Sequence, residues 1–412
     1  MTRKICVLCV FLFWAVLAAR ADDDDKVVPG EVVVRFVADA DVAAFIARWR
    51  VEYGTEILDR IPSRPIYLIR VFEGDEEEFV DDIEFDPAVE WAEPNYTGRD
   101  TNPDPGTQSI FVASTSGAYQ RQIALSIIHA DPARSSATGH GVVVAVIDSG
   151  LDATHPVFLG RIEPGGWNFL IGTDDFRDIG DGLDTNGNGL IDEAVGHGTL
   201  VAGLIVRVAP EVRILPLKAL DADGMTSTFR MVQAMYYAMD RGVRLMNISM
   251  GTTQETMLVD FALMDARAEG VLIVSSAGNE DTSSPVRFPS ARPELGVVGV
   301  AATDDTDRRA WFSNYGEHVA LSAPGVAITS TTPDGGYGRA DGTSFAAPLV
   351  TGVAALYWSA DPAQPASTVR NRLLQQSINI DALNPGYERE LGTGRLDALL
   401  VVRGVTFQRS QP

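Results

Sequence analysis

Cysteine is almost absent from this sequence. Its two copies, Cys6 and Cys9, both lie within the first ten residues. Once that segment is removed, the chain has no disulfide, no thiolate metal site and no thiol nucleophile. Positive charge is also scarce: 33 Lys and Arg stand against 56 Asp and Glu, a net charge of -23. Such a surface repels nucleic acid and anionic membranes, so neither is an expected partner. There is no internal repeat and no low-complexity tract. Beyond residue 21 no apolar run is long enough to cross a bilayer. What remains is a chain of 412 residues, 45% hydrophobic and 22% charged. That is a globular composition with material for two or three domains and a large core. A chain of this size without disulfides must be held by its core, with bound ions as a further means; were it secreted, that pattern would be closer to a bacterial exoprotein than to a small eukaryotic one.

The N-terminus, MTRKICVLCVFLFWAVLAARA, has the layout of a secretory signal peptide over residues 1–21. Arg3 and Lys4 are its basic start, 5–19 its apolar run, and Ala19-Arg20-Ala21 its small-residue cleavage site. The expected location is therefore secreted, either periplasmic or extracellular. The ADDDDKVV that follows matches an enterokinase recognition sequence but reads as a solvated acidic tail without function.

Two folding units are expected. In residues 27–97, strand-like and helix-like stretches alternate as β-α-β-β-α-β, from EVVVRFV (31–37) to VEWAEPNY (89–96). That order is the ferredoxin-like α+β arrangement. The unit has no His and no glycine loop, so it carries no chemistry of its own. Residues 98–120, rich in Thr, Asn, Pro and Gly, read as an exposed linker open to proteolysis. From 121 to 404, apolar β-branched runs such as VVVAVIDSG and VLIVSSAGNE alternate with helical stretches. This predicts a doubly wound, mostly parallel α/β sheet with functional residues at the carboxyl ends of its strands. Residues 405–412 form a short tail.

Those strand ends carry chemistry. Asp148 closes VVVAVIDSG and Asn279 closes VLIVSSAGNE. His197 opens a helical stretch in GHGT, and Ser344 opens a long apolar helix in GTSFAAP. A serine hydroxyl needs a neutral imidazole to take its proton, and the imidazole needs a carboxylate to orient it. Backbone N–H groups at a helix start and a side-chain amide can together hold a developing oxyanion. Each residue alone is more often a cap or a structural group.

AVIDSG, GHGTLVAG, SSAGNE and GTSFAAP together, in this order, resemble the subtilase family of serine peptidases, over about residues 121–404. The resemblance implies Ser344 as nucleophile, His197 as general base and then acid, and Asp148 as the orienting carboxylate. It implies an oxyanion hole from Asn279 and the Ser344 backbone N–H. Gly224-Met225-Thr226 and Ser249-Met250-Gly251 match the two edges that pair with an extended peptide substrate. The unit at 27–97 resembles the family's inhibitory propeptide. It would occupy the active site until self-cleavage within 97–120, so the chain's own propeptide is an expected partner beside peptide or protein substrate. A monomer is expected.

Three departures from the family pattern stand out. Leu200 replaces a second histidine, with little effect expected on chemistry. Phe345 replaces a methionine beside the nucleophile, which predicts tolerance of peroxide. Arg287 lies where the family floors its primary specificity pocket. Unpaired, it would favour an acidic residue before the scissile bond; paired with Glu280, it would not.

DGLDTNGNGLIDEAVG (181–196) adds a candidate calcium loop. Oxygens recur at Asp184, Asn186, Asn188, the Leu190 carbonyl and Asp192, with Gly189 at the turn, which is EF-hand-like spacing. The twelfth position is Val195 instead of glutamate, so Asp181 or Glu193 would have to substitute. The competing reading is a metal-free Asx turn. As a whole the sequence reads as a secreted, calcium-stabilised serine endopeptidase made as a zymogen. The rival readings are a non-catalytic, calcium-dependent binding module on the same fold and, within enzymes, an esterase or peptide ligase.

Overall fold

A computed structural model describes residues 26–100 and 112–403. The signal segment, most of the acidic tail, the centre of the expected linker and the C-terminal tail lie outside the described residues.

The N-terminal unit follows the expected order: β1 (Val27–Phe36), α1 (Val42–Tyr53), β2 (Glu56–Ile61), β3 (Ile66–Arg70), α2 (Glu76–Ile83) and β4 (Val89–Asp100). Asp41 caps α1 by accepting from the Ala44 N–H, and Gly54 ends it in a left-handed conformation. The antiparallel sheet runs β4-β1-β3-β2. Val32, Val34, Phe36, Phe45 and Phe79 form its separate core against the two helices.

The larger unit is a seven-stranded parallel sheet. Its strands are β5 (Val143–Asp148), β6 (Trp167–Asn168), β7 (Arg213–Lys218), β9 (Leu245–Ile248), β11 (Leu272–Ser276), β12 (Val298–Thr303) and β13 (Leu321–Pro324). Their order is β13-β12-β11-β9-β5-β7-β6. Helices α3 (His197–Val208), α4 (Thr228–Asp240), α5 (Met257–Ala268) and α6 (Thr343–Ala360) cover the faces. All of α3 and nearly all of α6 are buried. This is why their sequences are apolar around the whole circumference and not along one stripe. Two short edges, β8 (Met225–Ser227) and β10 (Met250–Gly251), stand outside this sheet.

The units meet through β4. Glu93 accepts hydrogen bonds from the Met257 and Leu258 N–H groups at 2.8 and 2.9 Å, capping α5 from outside. Asn95 Oδ1 accepts from the Phe229 N–H and the Thr228 hydroxyl and caps α4 in the same way. Trp91 stacks on Phe261, with ring centroids 5.8 Å apart and planes 3° from parallel. Two helix starts of the larger unit therefore have their orphan donors satisfied by the smaller one.

The expected linker is shorter than its composition suggests. Residues 97–100 continue β4, because two strand edges accept their backbone groups. Val112–Ala113 pair with a hairpin strand at 336–340, and Ser116–Arg121 form a helix that buries Tyr119. Polar, glycine-containing sequence becomes ordered here through partners that are remote in the chain.

Candidate active site

Asp148 ends β5 and His197 begins α3, and crossing from the sheet to the buried helix brings them together. His197 Nδ1 lies 2.7 Å from Asp148 Oδ1, and both side chains are essentially inaccessible. Asp148 Oδ1 also accepts from the Ser149 N–H at 2.8 Å. An Nδ1–H donating to the carboxylate leaves Nε2 as the basic nitrogen. Among the described residues His197 Nε2 has no hydrogen-bond partner. Burial alone pushes the imidazolium down. The Asp148 charge and hydrogen bond, followed by Asp100 and Asp178, outweigh it and raise the pKa to about 9.

Ser344 is the second residue of α6, where backbone N–H groups are exposed at the helix start. Its hydroxyl donates to the Ser249 carbonyl at 3.4 Å, and the Ser249 hydroxyl donates back to the Ser344 carbonyl at 3.2 Å. The Asn279 carbonyl oxygen accepts from the Thr343 N–H and hydroxyl, both at 2.9 Å. That fixes the amide and leaves its NH2 as the donor end. The Phe345 ring lies against the His197 ring, with centroids 5.4 Å apart. Leu200 is buried in the core and takes no part in the site.

Sequence reasoning missed the groups behind this constellation. Buried Asp178 accepts from the Ser149 hydroxyl, the Gly196 N–H, and the Thr199 N–H and hydroxyl. It ties the start of the histidine helix to the residue after Asp148. Lys218 donates to the Ser149 carbonyl, and burial lowers its pKa against the pull of Asp178, Asp221 and Asp148. A lysine ending the buried strand VRILPLK was the one available signal. Asp178, in an acid-rich stretch, offered none.

Both expected substrate edges are engaged by the chain itself. The end of β4 lies between β8 and β10, antiparallel to each. Thr97, Gly98 and Arg99 pair with Ser227, Thr226 and Met225, while Arg99 and Asp100 pair with Gly251 and Met250. The Asp100 N–H donates to the Gly224 carbonyl at 2.8 Å. A Cβ on Gly224 would stand 2.9 Å from the Asp100 carboxyl carbon, so glycine there makes room for this strand.

Arg287 is buried and paired. Its Nη2 lies 2.8 Å and its Nε 3.2 Å from Glu280 Oε1. Glu280 Oε2 also accepts from the Asn314 side chain. The condition for an acid-selective pocket, an unpaired Arg287, is not met. Glu280 stands four residues beyond the end of β11 and pairs with the guanidinium from there.

The loop at 184–193 departs from the expected ligand set at one position. Asp184 accepts from the Asn188 and Gly189 N–H groups at 3.1 and 3.0 Å, which wraps the turn around its carboxylate. Asn186, Asn188 and Glu193 close on the same turn, both amides meeting the Glu193 carboxylate. Asp192 turns the other way: with φ of 58°, it accepts from the Asp181 and Gly182 N–H groups. Asp192 thus faces away from this turn, and Glu193 faces it. Among the described residues no three His, Cys, Asp or Glu side chains gather into a metal cluster. The residues Asp184, Asn186, Asn188 and Glu193 and the Leu190 carbonyl are of the hard-oxygen kind that suits calcium, while here Asn186 and Asn188 turn their NH2 ends to Glu193 and their Oδ1 atoms to the Asn188 and Leu190 N–H groups. Asp223 fastens the loop to β8, accepting from the Thr185 and Asp192 N–H groups.

Both units of the chain resemble known proteins. The subtilase family pattern matches residues 139–394, and that of the fervidolysin N-terminal prodomain matches 15–95. Alkaline elastase YaB of Bacillus sp. (strain YaB) is 34% identical over 275 residues, 65% of this chain and 66% of the elastase. M-protease of Shouchella clausii is 30% identical over 367 residues, 86% of this chain and 84% of that protein. The crystal structure of fervidolysin from Fervidobacterium pennivorans, described as a keratinolytic enzyme related to subtilisin, aligns with a TM-score of 0.72 at 23% identity. It covers 93% of this chain, which spans 62% of the fervidolysin chain. The chain belongs to the subtilase family and carries an N-terminal prodomain ahead of its subtilase domain.

Proposed function

We propose that this protein is a secreted serine endopeptidase made as a zymogen. The observation that carries the reading is the buried Asp148–His197 pair, with Phe345, the residue after Ser344, packed on the His197 ring, at a cleft whose two edges already hold an extended segment of the chain. Ser344 attacks the scissile carbonyl while His197 Nε2 takes its proton, and Asp148 holds the imidazole in the competent tautomer. The Ser344 N–H and the Asn279 NH2 receive the developing oxyanion. His197 then protonates the leaving amine, and water releases the acyl group by the reverse steps.

Residues 27–97 act as the inhibitory propeptide, and self-cleavage follows shortly after Asp100. Calcium, held by Asp184, Asn186, Asn188, Glu193 and the Leu190 carbonyl, supplies a structural cross-link and no chemistry. Relatives that include an extracellular protease of Bacillus subtilis support export.

The test is casein hydrolysis by the processed protein, compared with Ser344→Ala and His197→Ala. Each substitution is expected to lower kcat by roughly 10⁴-fold or more, as when one member of a catalytic unit is removed. Activity retained in Ser344→Ala would end the reading.

A further inference from the structure

Gly98 is the residue of β4 that passes between Thr226 on one edge and Gly251 on the other. It is not among the glycines with positive φ, so its extended backbone is open to any residue. Space is the restriction. A Cβ on Gly98 would stand 3.2 Å from Thr226 Cγ2 and 3.3 Å from the Gly251 carbonyl oxygen. Both distances are shorter than ordinary van der Waals contact. The carbonyl cannot withdraw: Gly251 pairs with Arg99, and a Cβ on Gly251 itself would lie 2.6 Å from the Phe288 carbonyl oxygen. The loop behind it is closed by Thr252 and Phe288, which exchange backbone hydrogen bonds at 3.0 and 2.8 Å. The two neighbours thus differ in kind, one a rigid carbonyl and the other a single methyl group.

We infer that Thr226 is a specificity-determining residue, and that the cleft selects peptides with glycine at the position opposite it. The inference rests on the peptidase reading above and names its substrate class: extended, glycine-containing chains. A substrate lying along β8 and β10 as β4 does meets the same methyl and carbonyl. Alanine requires a shift of a few tenths of an ångström, and every longer side chain carries the same Cβ and the same requirement.

The experiment is a proteome-derived peptide library digested by the processed enzyme and read by mass spectrometry. The mature N-terminus, sequenced in the same preparation, fixes how far upstream of the scissile bond Gly98 stands. At that offset glycine should exceed alanine roughly tenfold, with leucine and phenylalanine nearly absent. Thr226→Ser, which removes only the methyl, should bring alanine close to parity. Thr226→Val, which keeps a methyl, should retain the preference. No glycine enrichment at that offset, or the same enrichment in Thr226→Ser, overturns the inference.

A library left wholly uncut speaks against the peptidase reading alone. The subsite is then tested without catalysis, in the full Ser344→Ala chain exposed to trypsin at Arg99. Gly98→Ala should speed cleavage there roughly tenfold, and adding Thr226→Ser should restore protection. Unchanged protection in Gly98→Ala overturns the inference equally.

Discussion

His197 is fully buried, yet three carboxylates hold its proton. Asp148 contributes most, and Asp100, on the docked strand, contributes next. An imidazolium cannot accept the serine proton, so only the neutral fraction can act. With the pKa raised to about 9, that fraction grows about tenfold per pH unit below this value and levels off above it. Self-processing of the full chain after a pH jump should follow the same curve. Asp100→Asn removes one anion and should move the midpoint to lower pH. A processing rate independent of pH between 6 and 9, or an unmoved midpoint in Asp100→Asn, would contradict this account. The residues of this centre were legible because each sits where regular structure ends: Asp148 after a β-branched run, Ser344 and His197 before apolar helices. Asp178 was not legible, because its role depends on Ser149, Gly196 and Thr199 converging on it from two other segments.

At the scale of elements, the loop from Asp181 to Glu193 links the histidine helix to a substrate edge. Ala194 donates to the Ala222 carbonyl, and Asp223 holds the loop from the β8 side. Loss of a cation from this turn is therefore expected to loosen β8 as well as the approach to His197. In the Ser344→Ala chain, which cannot digest itself, calcium at 100 times its Kd should add about 2.7 kcal/mol. Calorimetry with calcium and with chelator should then differ by roughly 3–5 °C in Tm. No difference would mean the loop is the metal-free Asx turn that the sequence also allowed. Alternate oxygens made the loop visible in the sequence. The choice between Asp192 and Glu193 was not visible, because it turns on a left-handed backbone at Asp192 that the spacing does not reveal.

The whole molecule is a two-unit device in which β4 belongs to both units. Through β1 it completes the sheet of the smaller unit; through Glu93 and Asn95 it caps two helices of the larger; through Thr97–Asp100 it fills the cleft. Both architectures were legible from the alternation of apolar runs. The docking was not, because Thr97–Asp100 reads as linker until two remote edges are supplied. The account's central claim is that one hydroxyl does the chemistry and that the strand end gives way to it. Intact-mass analysis after a fluorophosphonate probe tests both at once. The account predicts a single adduct on a fragment beginning shortly after Asp100, absent in Ser344→Ala. An unlabelled chain still carrying residues 27–97 would contradict it.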